Sequence, residues 1–453
     1  EGFKMTELGP LPEEWEVVSF DESILRTRVF VGKVKQSDYK PVGHFPIIDQ
    51  GQTAVAGYWD DAADTYQGPL PVIVFGDHTR ALKFVKEPFV CGADGTKVLV
   101  PNTSKFDAEF LFYALSSIPL PSRGYNRHYH LLREKSLPLP PLPEQRAIAQ
   151  VLRAVQRAKE ATERVLAATR ELKKSLMRHL FTYGPVPLDQ ADQVRLKETE
   201  IGLVPEEWEV VRLGDLIQLI RNGLTHRQNW EGLGFPVTRI ETIAEGKINP
   251  AKVGYIAGIE PESVEKYKLK VGDILLSHIN SEAHLGKSAI YEGEPPLLIH
   301  GMNLLLIRAR SDISDPYYLN SLFQLYRDFG IFIGLSARAV GQASINQGKL
   351  KTLEIILPPL PEQRAIAQVL RTVDRKIQAE EARKAALDAL FRTLLHHLMT
   401  GKVRVPPVGA GVGVNVGADV GAGVGGNANV GAGSEPAPTE PTPTENGDTG
   451  VKR

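Results

Sequence analysis

Fifteen residues occur twice in this chain without a single change. Leu139–Arg153 reads LPPLPEQRAIAQVLR, and so does Leu357–Arg371, 218 positions later. A second repeat opens each half: FKMTELGPLPEEWEVV over Phe3–Val18 and LKETEIGLVPEEWEVV over Leu196–Val211, 193 positions apart. The segments between, of about 120 and 145 residues, show no visible likeness. A duplicated frame around unlike inserts predicts a scaffold with internal pseudo-twofold symmetry that presents two different surfaces.

Each fifteen-residue repeat reads as a joint followed by a long helix. Pro143 ahead of Glu144 and Gln145 suits a first helical turn, where a missing N–H costs nothing and acidic groups meet the positive end of the helix dipole. No Gly or Pro follows until Gly184. Ile148, Leu152, Val155, Thr162, Leu166, Thr169, Leu176 and Leu180 recur at alternating four- and three-residue steps, as do Ile366, Leu370, Val373, Ile377, Leu387, Phe391, Leu394 and Leu398. That is a coiled-coil seam. Lys159, Lys173, Glu380 and Lys384 interrupt it, which predicts water or partner helices at those places. Two such helices on one chain are expected to pack as an antiparallel coiled coil.

The inserts read as α/β (α+β) domains. Leu70–Phe75, Asp273–Leu276 and Leu297–His300 are expected strands, and Asp107–Ser117 and Pro316–Phe329 expected helices. The organisation follows: a first domain over 1–138, a spacer helix over 139–183, a second domain over 184–356, a second spacer helix over 357–401, and a tail over 402–453. The tail repeats Gly, Val, Ala and Asn without period and ends in PAPTEPTPTE, so disorder is expected there.

Charge narrows the function. The chain carries a net −1, but residues 19–135 and 212–356 each sum to +1, residues 144–180 to +5, and residues 362–399 to +2. The inserts are therefore not bulk polyanion binders, and any contact they make with nucleic acid uses local patches. The single cysteine, Cys91, excludes an internal disulfide and a Cys-pair zinc site. No stretch is long and apolar enough to span a bilayer, and the first residues carry no signal-like apolar run, so a cytoplasmic location without membrane contact is expected.

Catalytic signatures are missing. Gly286-Lys287-Ser288 ends like a phosphate-binding loop, but Ser281 stands where its earlier glycine belongs. Glu294-Pro-Pro-Leu297 lacks both ends of an amino-methylation motif, and there is no HExxH. The inserts do hold polar loops of the kind that read nucleic acid. In the first, these are Asp77-His78-Thr79-Arg80 after an apolar strand and Tyr125 to His130, with Tyr125, Arg127, His128 and Tyr129 as candidates, together with Lys35 as a phosphate contact. In the second, they are Arg227, Ser277, His278, Asn280 and Ser281, and Arg338, Gln342, Ser344 and Asn346. Arg suits guanine edges, Asn and Gln suit adenine edges, and aromatics stack on bases. The same residues also make ordinary polar turns. A coiled-coil scaffold with peptide-binding inserts and a solitary DNA-modifying enzyme are the rival readings.

The residues together resemble the DNA-specificity subunit of a type I restriction–modification system. The resemblance rests on Gly202-Leu-Val-Pro-Glu-Glu-Trp208 and its twin Pro12-Glu-Glu-Trp15, on both PLPEQRAIAQVL joints with their helices, and on Gly341-Gln-Ala-Ser-Ile-Asn346. It covers the chain to about Val405. It implies a non-catalytic, sequence-specific double-stranded DNA-binding subunit in which two target-recognition domains each read one half of a split site. It implies docking of two modification subunits on the helices, through faces that include Leu152, Leu166, Leu176, Leu370, Leu387 and Leu394. It assigns no cofactor to this chain: S-adenosylmethionine, ATP and Mg belong to the partners, which include two motor–nuclease subunits.

Overall fold

The computed structural model describes residues 2–26, 32–93, 95–121, 124, 126–199, 202–339 and 342–406. Two helices dominate it: Leu142–Tyr183, of 42 residues, and Leu360–Met399, of 40. Each begins one residue before a proline, as the shape of that ring permits. They run antiparallel, and ion pairs fix the register. Lys159 Nζ meets Asp388 at 2.6 Å, Glu163 meets Lys384 at 2.8 Å, and Lys173 meets Asp374 at 2.7 Å. Every advance along the first helix is thus matched by an equal retreat along the second. Lys159, Lys173 and Lys384 therefore do not mark gaps for water or partner helices, as their positions in the seam had predicted. Each stem lies over the seam and its ammonium reaches a carboxylate on the facing helix.

The repeated frame folds the same way twice. Phe3–Thr6 pairs with Gly9–Pro12, and Leu196–Thr199 with Gly202–Pro205. After each hairpin, the strand that follows the PEEW segment pairs with the strand that ends the domain: Glu16–Ser19 with Ser136–Leu139, and Glu209–Arg212 with Glu354–Leu357. Each insert is therefore closed at its neck by a strand of the duplicated opening segment paired with the strand that leads into the joint repeat.

Inside the inserts the sequences diverge but the central sheet does not. The first holds four antiparallel strands in the spatial order Ile24–Leu25, Thr96–Pro101, Val72–Gly76, Leu82–Val85. The second holds Ile217–Asn222, Leu304–Ala309, Ile274–Ser277, Ser288–Ile290, the same connectivity with the same antiparallel neighbours. Val72–Phe75 and Ile274–Leu276 are buried throughout, which explains their uninterrupted apolar sequence. Helices Ala108–Ser117 and Pro316–Asp328 follow in corresponding places. The differences lie outside this sheet. The first insert adds a mixed four-stranded sheet containing Cys91, which is buried. The second adds a two-stranded sheet and a three-stranded one. Leu297–His300, expected as a strand, joins no ladder and makes only isolated bridges at Ile299.

Both long helices enter both cores. Ile148, Ala149 and Leu152 from the start of the first helix pack with Leu398 and Met399 from the end of the second, under the first domain. Ile366, Ala367 and Leu370 pack with Met177, Leu180 and Phe181 under the second. Each domain therefore sits where one helix begins and the other ends. Among the described residues, no helix is long and apolar enough to cross a membrane.

Candidate nucleic-acid interface

Each domain is fixed to the helices by the same side chains. Trp15, fully buried, donates its indole N–H to Glu144 Oε2 at 3.0 Å, and Trp208 does the same to Glu362 Oε2 at 3.0 Å. The next residue in each repeat is equally committed. Gln145 accepts from the backbone N–H of Asp107 at 2.8 Å and Gln363 from that of Asp315 at 2.9 Å. Asp107 and Asp315 in turn cap the late helix of their domain. Dipole preference alone had accounted for Glu144 and Gln145; the structure makes them the clamps that set each domain on its helix.

One clamp is larger than the other. Arg404 brings two nitrogens to Glu144, at 2.7 and 3.0 Å, and pairs with Glu14 as well. The two carboxylates hold the Arg404 guanidinium well above its ordinary pKa. Arg404 lies in the stretch expected to be disordered, so that boundary moves: residues 402–406 belong to the folded frame. The rest of the tail lies outside the described residues.

On this frame the loops that were far apart in sequence come together. In the first domain, Asp77 at the end of its central strand is buried. Its Oδ1 accepts the backbone N–H groups of His128 at 2.9 Å and Tyr129 at 2.8 Å. His128 is buried, with Nδ1 3.0 Å from the Asp77 carbonyl. Thr79 donates to the Gln50 carbonyl, and Arg80 to the Leu120 carbonyl at 2.7 Å. Tyr129 packs edge-on against Phe20, with ring centres 6.0 Å apart. Asp77 and His128 are thus enclosed in the fold, and Thr79, Arg80 and Tyr129, half-buried, help to shape the loops. His78 is half-buried, and its N–H lies 3.3 Å from Gln50 Oε1. Arg127 and Lys35 are exposed, Lys35 beside an edge strand of the other sheet. Tyr125 lies outside the described residues.

In the second domain, Ile279–Asn280, Gln342–Ser344 and Ala337–Ala339 form one small antiparallel sheet. It joins the two candidate loops, with Asn280 opposite Ala343 and Arg338 opposite Ala343 on the other side. Ser277 is buried and accepts from Asn280 Nδ2 at 3.3 Å. His278 is buried, and desolvation pushes its pKa down to about 4. Asn346 caps the short helix Gln347–Lys351 by accepting from Lys349 N–H at 2.8 Å. Ser277 and His278 are therefore enclosed in the fold, while Asn346, exposed, caps a helix. Ser281, Ser344 and Arg227 are exposed and Asn280 partly so. The side chains of Arg338 and Gln342 lie outside the described part.

These loops share one end of the sheet. Ser277 pairs with Leu304 and Asn222 with Leu305, so the loops after both strands leave together. Gln347 Nε2 touches Asn222 Oδ1 at 3.4 Å and ties in the third. In the first domain, Gly76 pairs with Thr96 and opens the corresponding end. Sequence reasoning passed over Trp230, which stands exposed in the loop after Asn222. A tryptophan set among Asn, Glu and Gly was the available signal.

The six candidate leucines on the helices face inward. Leu152, Leu166 and Leu370 are buried, and Leu176 and Leu394 pack against the domain cores. Leu387 is half-buried. The apolar groups that the helices do expose are Val165, Leu172, Val369 and Leu390. The seam leucines are thus taken up by packing within the chain itself.

Residues 205–389 match the type I restriction modification DNA specificity domain. A Methanocaldococcus jannaschii protein provisionally assigned as the type I restriction enzyme MjaX specificity subunit is 49% identical over 43% of this chain and 48% of its own length. The MjaVIII specificity subunit of the same organism is 28% identical over 59% of this chain and 62% of its own. The chain thus spans about half to three fifths of these relatives. The crystal structure of the Mycoplasma genitalium type I restriction–modification S subunit superposes with a TM-score of 0.60 at 15% identity, covering 85% of this chain and 96% of that one, a likeness of fold. With its duplicated frame, paired helices and two inserted domains, the chain is similar to type I restriction–modification specificity subunits, and its residues 205–389 carry their DNA specificity domain.

Proposed function

We propose that this chain is the non-catalytic reading subunit of a type I restriction–modification complex. Each domain reads one half of a bipartite, asymmetric site in double-stranded DNA. The paired helices set the spacing and dock two modification subunits through the outer surface that carries Val165, Leu172, Val369 and Leu390. S-adenosylmethionine and the adenine-N6 chemistry belong to those partners, and ATP and Mg to two motor–nuclease subunits.

One observation carries the reading: two sheets of identical connectivity, clamped by identical Trp–Glu pairs, hold unlike loops at corresponding ends. Like supports with unlike loops suit two half-sites of different sequence. With both domains on one side of the duplex, their centres fall about one helical turn, ~10 bp, apart. The near-neutral inserts suit weak, poorly discriminating DNA binding by the isolated chain, with further phosphate contacts supplied by partners.

Mapping methylated adenines in cells that express the complex tests this. A split, asymmetric motif with unspecified central bases is expected. A chimera exchanging residues 19–137 with those of a relative should change one half-site only. A single continuous palindrome dependent on this chain would refute the two-reader arrangement.

A further inference from the structure

The loop after Asn222 exposes more apolar surface than its fold explains. Trp230 is 64% exposed and Leu233 is 57% exposed. The loop is nevertheless tightly built. Asn229 Oδ1 accepts from the N–H groups of Glu231 at 3.1 Å and Leu233 at 3.2 Å, while its Nδ2 donates to the Leu233 carbonyl at 3.0 Å. The backbones of Asn229 and Tyr255 exchange hydrogen bonds of 2.8 and 3.0 Å. Gly234 closes the turn at φ +93°, where a Cβ would lie 1.9 Å from the Ile256 carbonyl, so no other residue fits.

Arg239 backs the indole. Its guanidinium carbon stands 3.9 Å from the ring centre, held by Gln228 Oε1 at 2.9 Å and Glu241 Oε2 at 3.3 Å. A rigid loop thus holds an indole with a cation behind one part of it and the rest in solvent. Exposed apolar groups on such a fixed support are characteristic of binding surfaces, and Trp and Arg dominate their energetics.

Position and charge name the occupant. This loop leaves the same end of the sheet as the loop after Ser277. Arg227, three residues before Trp230, is exposed and has no ion-pair partner among the described residues. A flat π surface in a loop that also carries an exposed guanidinium complements a base and a nearby phosphate.

We propose that Trp230 stacks on a nucleobase within the half-site held by the second domain. Arg239 braces the indole from behind, and Arg227 meets an adjacent phosphate. Because every base has a π face, the contact supplies affinity and unstacks or fixes a base step; it does not read identity. The inference rests on the DNA-reading function proposed above.

The test uses the chain assembled with its modification subunits and a duplex bearing the mapped site. Trp230→Ala should weaken binding about 5- to 100-fold, the range of one lost base–aromatic stack, and Trp230→Phe should weaken it less. The duplex should quench a component of tryptophan emission that is missing from the Trp230→Phe complex. Trp15 and Trp208 are buried and supply an internal baseline. Unfolding midpoints and partner co-purification should not change. If Trp230→Ala disturbs folding, the Trp230→Phe emission difference still decides. Unaltered affinity together with an unchanged emission difference would overturn the stacking role while leaving the DNA-reading function standing. Loss of the modification subunits from Trp230→Ala would also overturn it, in favour of a protein contact. A wild-type complex that bound no DNA would remove the function itself, and this inference with it.

Discussion

The indole N–H of Trp15 reaches the carboxylate of Glu144, 129 residues further along the chain, at 3.0 Å. This bond joins the opening repeat to the joint repeat, and Trp208 with Glu362 reproduces it. It explains why the two repeated segments occur together in each half: each supplies one side of a buried contact.

The two clamps should differ in strength. Glu144→Ala leaves the Trp15 indole unsatisfied and takes from Arg404 one of its two carboxylates, Glu14 remaining, and should cost about 2–4 kcal/mol. Glu362→Ala leaves only the indole unsatisfied and should cost about 1–3 kcal/mol. Urea unfolding of the two variants measures the difference, and equal losses would show that Arg404 adds nothing.

Ion pairs should set the register of the helices. Lys159→Glu places two carboxylates together and should destabilise by about 1 kcal/mol, and Lys159→Glu with Asp388→Lys should recover most of it. A double-mutant cycle on thermal midpoints tests the coupling. Additive losses would mean that the seam leucines alone fix the register.

Stability and partner docking should separate on the first helix. Leu166→Asp buries an unpaired charge and should cost several kcal/mol. Val165→Asp and Leu172→Asp, at sites 41% and 51% exposed, should change stability by less than about 0.5 kcal/mol and still weaken co-purification with the modification subunits. Undiminished partner binding by the Val165 and Leu172 variants would move the docking surface elsewhere.

Acid should loosen the second domain before the first. Burial pushes His278 down to about 4 and His300 to about 3, both from 6.5. The unfolded chain therefore binds more protons than the folded one below about pH 6.5. The stability these neutral rings contribute is fully present above that pH and is lost progressively as pH falls toward the folded values. The loss should reach a few kcal/mol. Hydrogen exchange at pH 7.5 and pH 5 should show the sheet of Ile274–Ser277 losing protection ahead of that of Val72–Gly76. Equal losses would exclude the histidines as the cause.

The sequence by itself determined the frame. A sustained four–three apolar spacing, even with its few charged interruptions, has one economical solution, a long helix against another, and exact duplication fixed where each helix begins. It also placed the late helices of the two inserts, Asp107–Ser117 and Pro316–Phe329, while their capping by Asp107 and Asp315 is seen only in the fold. The tertiary structure decided everything that depends on partners distant in the chain. Lys159 and Lys173 look like defects in a seam until Asp388 and Asp374 arrive from the facing helix. Asp77 and His128 look like reading groups until 51 residues of chain fold back and each satisfies the other. The two inserts look unrelated because a sheet specifies burial and alternation, not identity, so one connectivity accepts two sequences. Polar side chains are ambiguous in sequence for the same reason: only burial and the nearest acceptor determine whether a group serves the fold or faces a ligand.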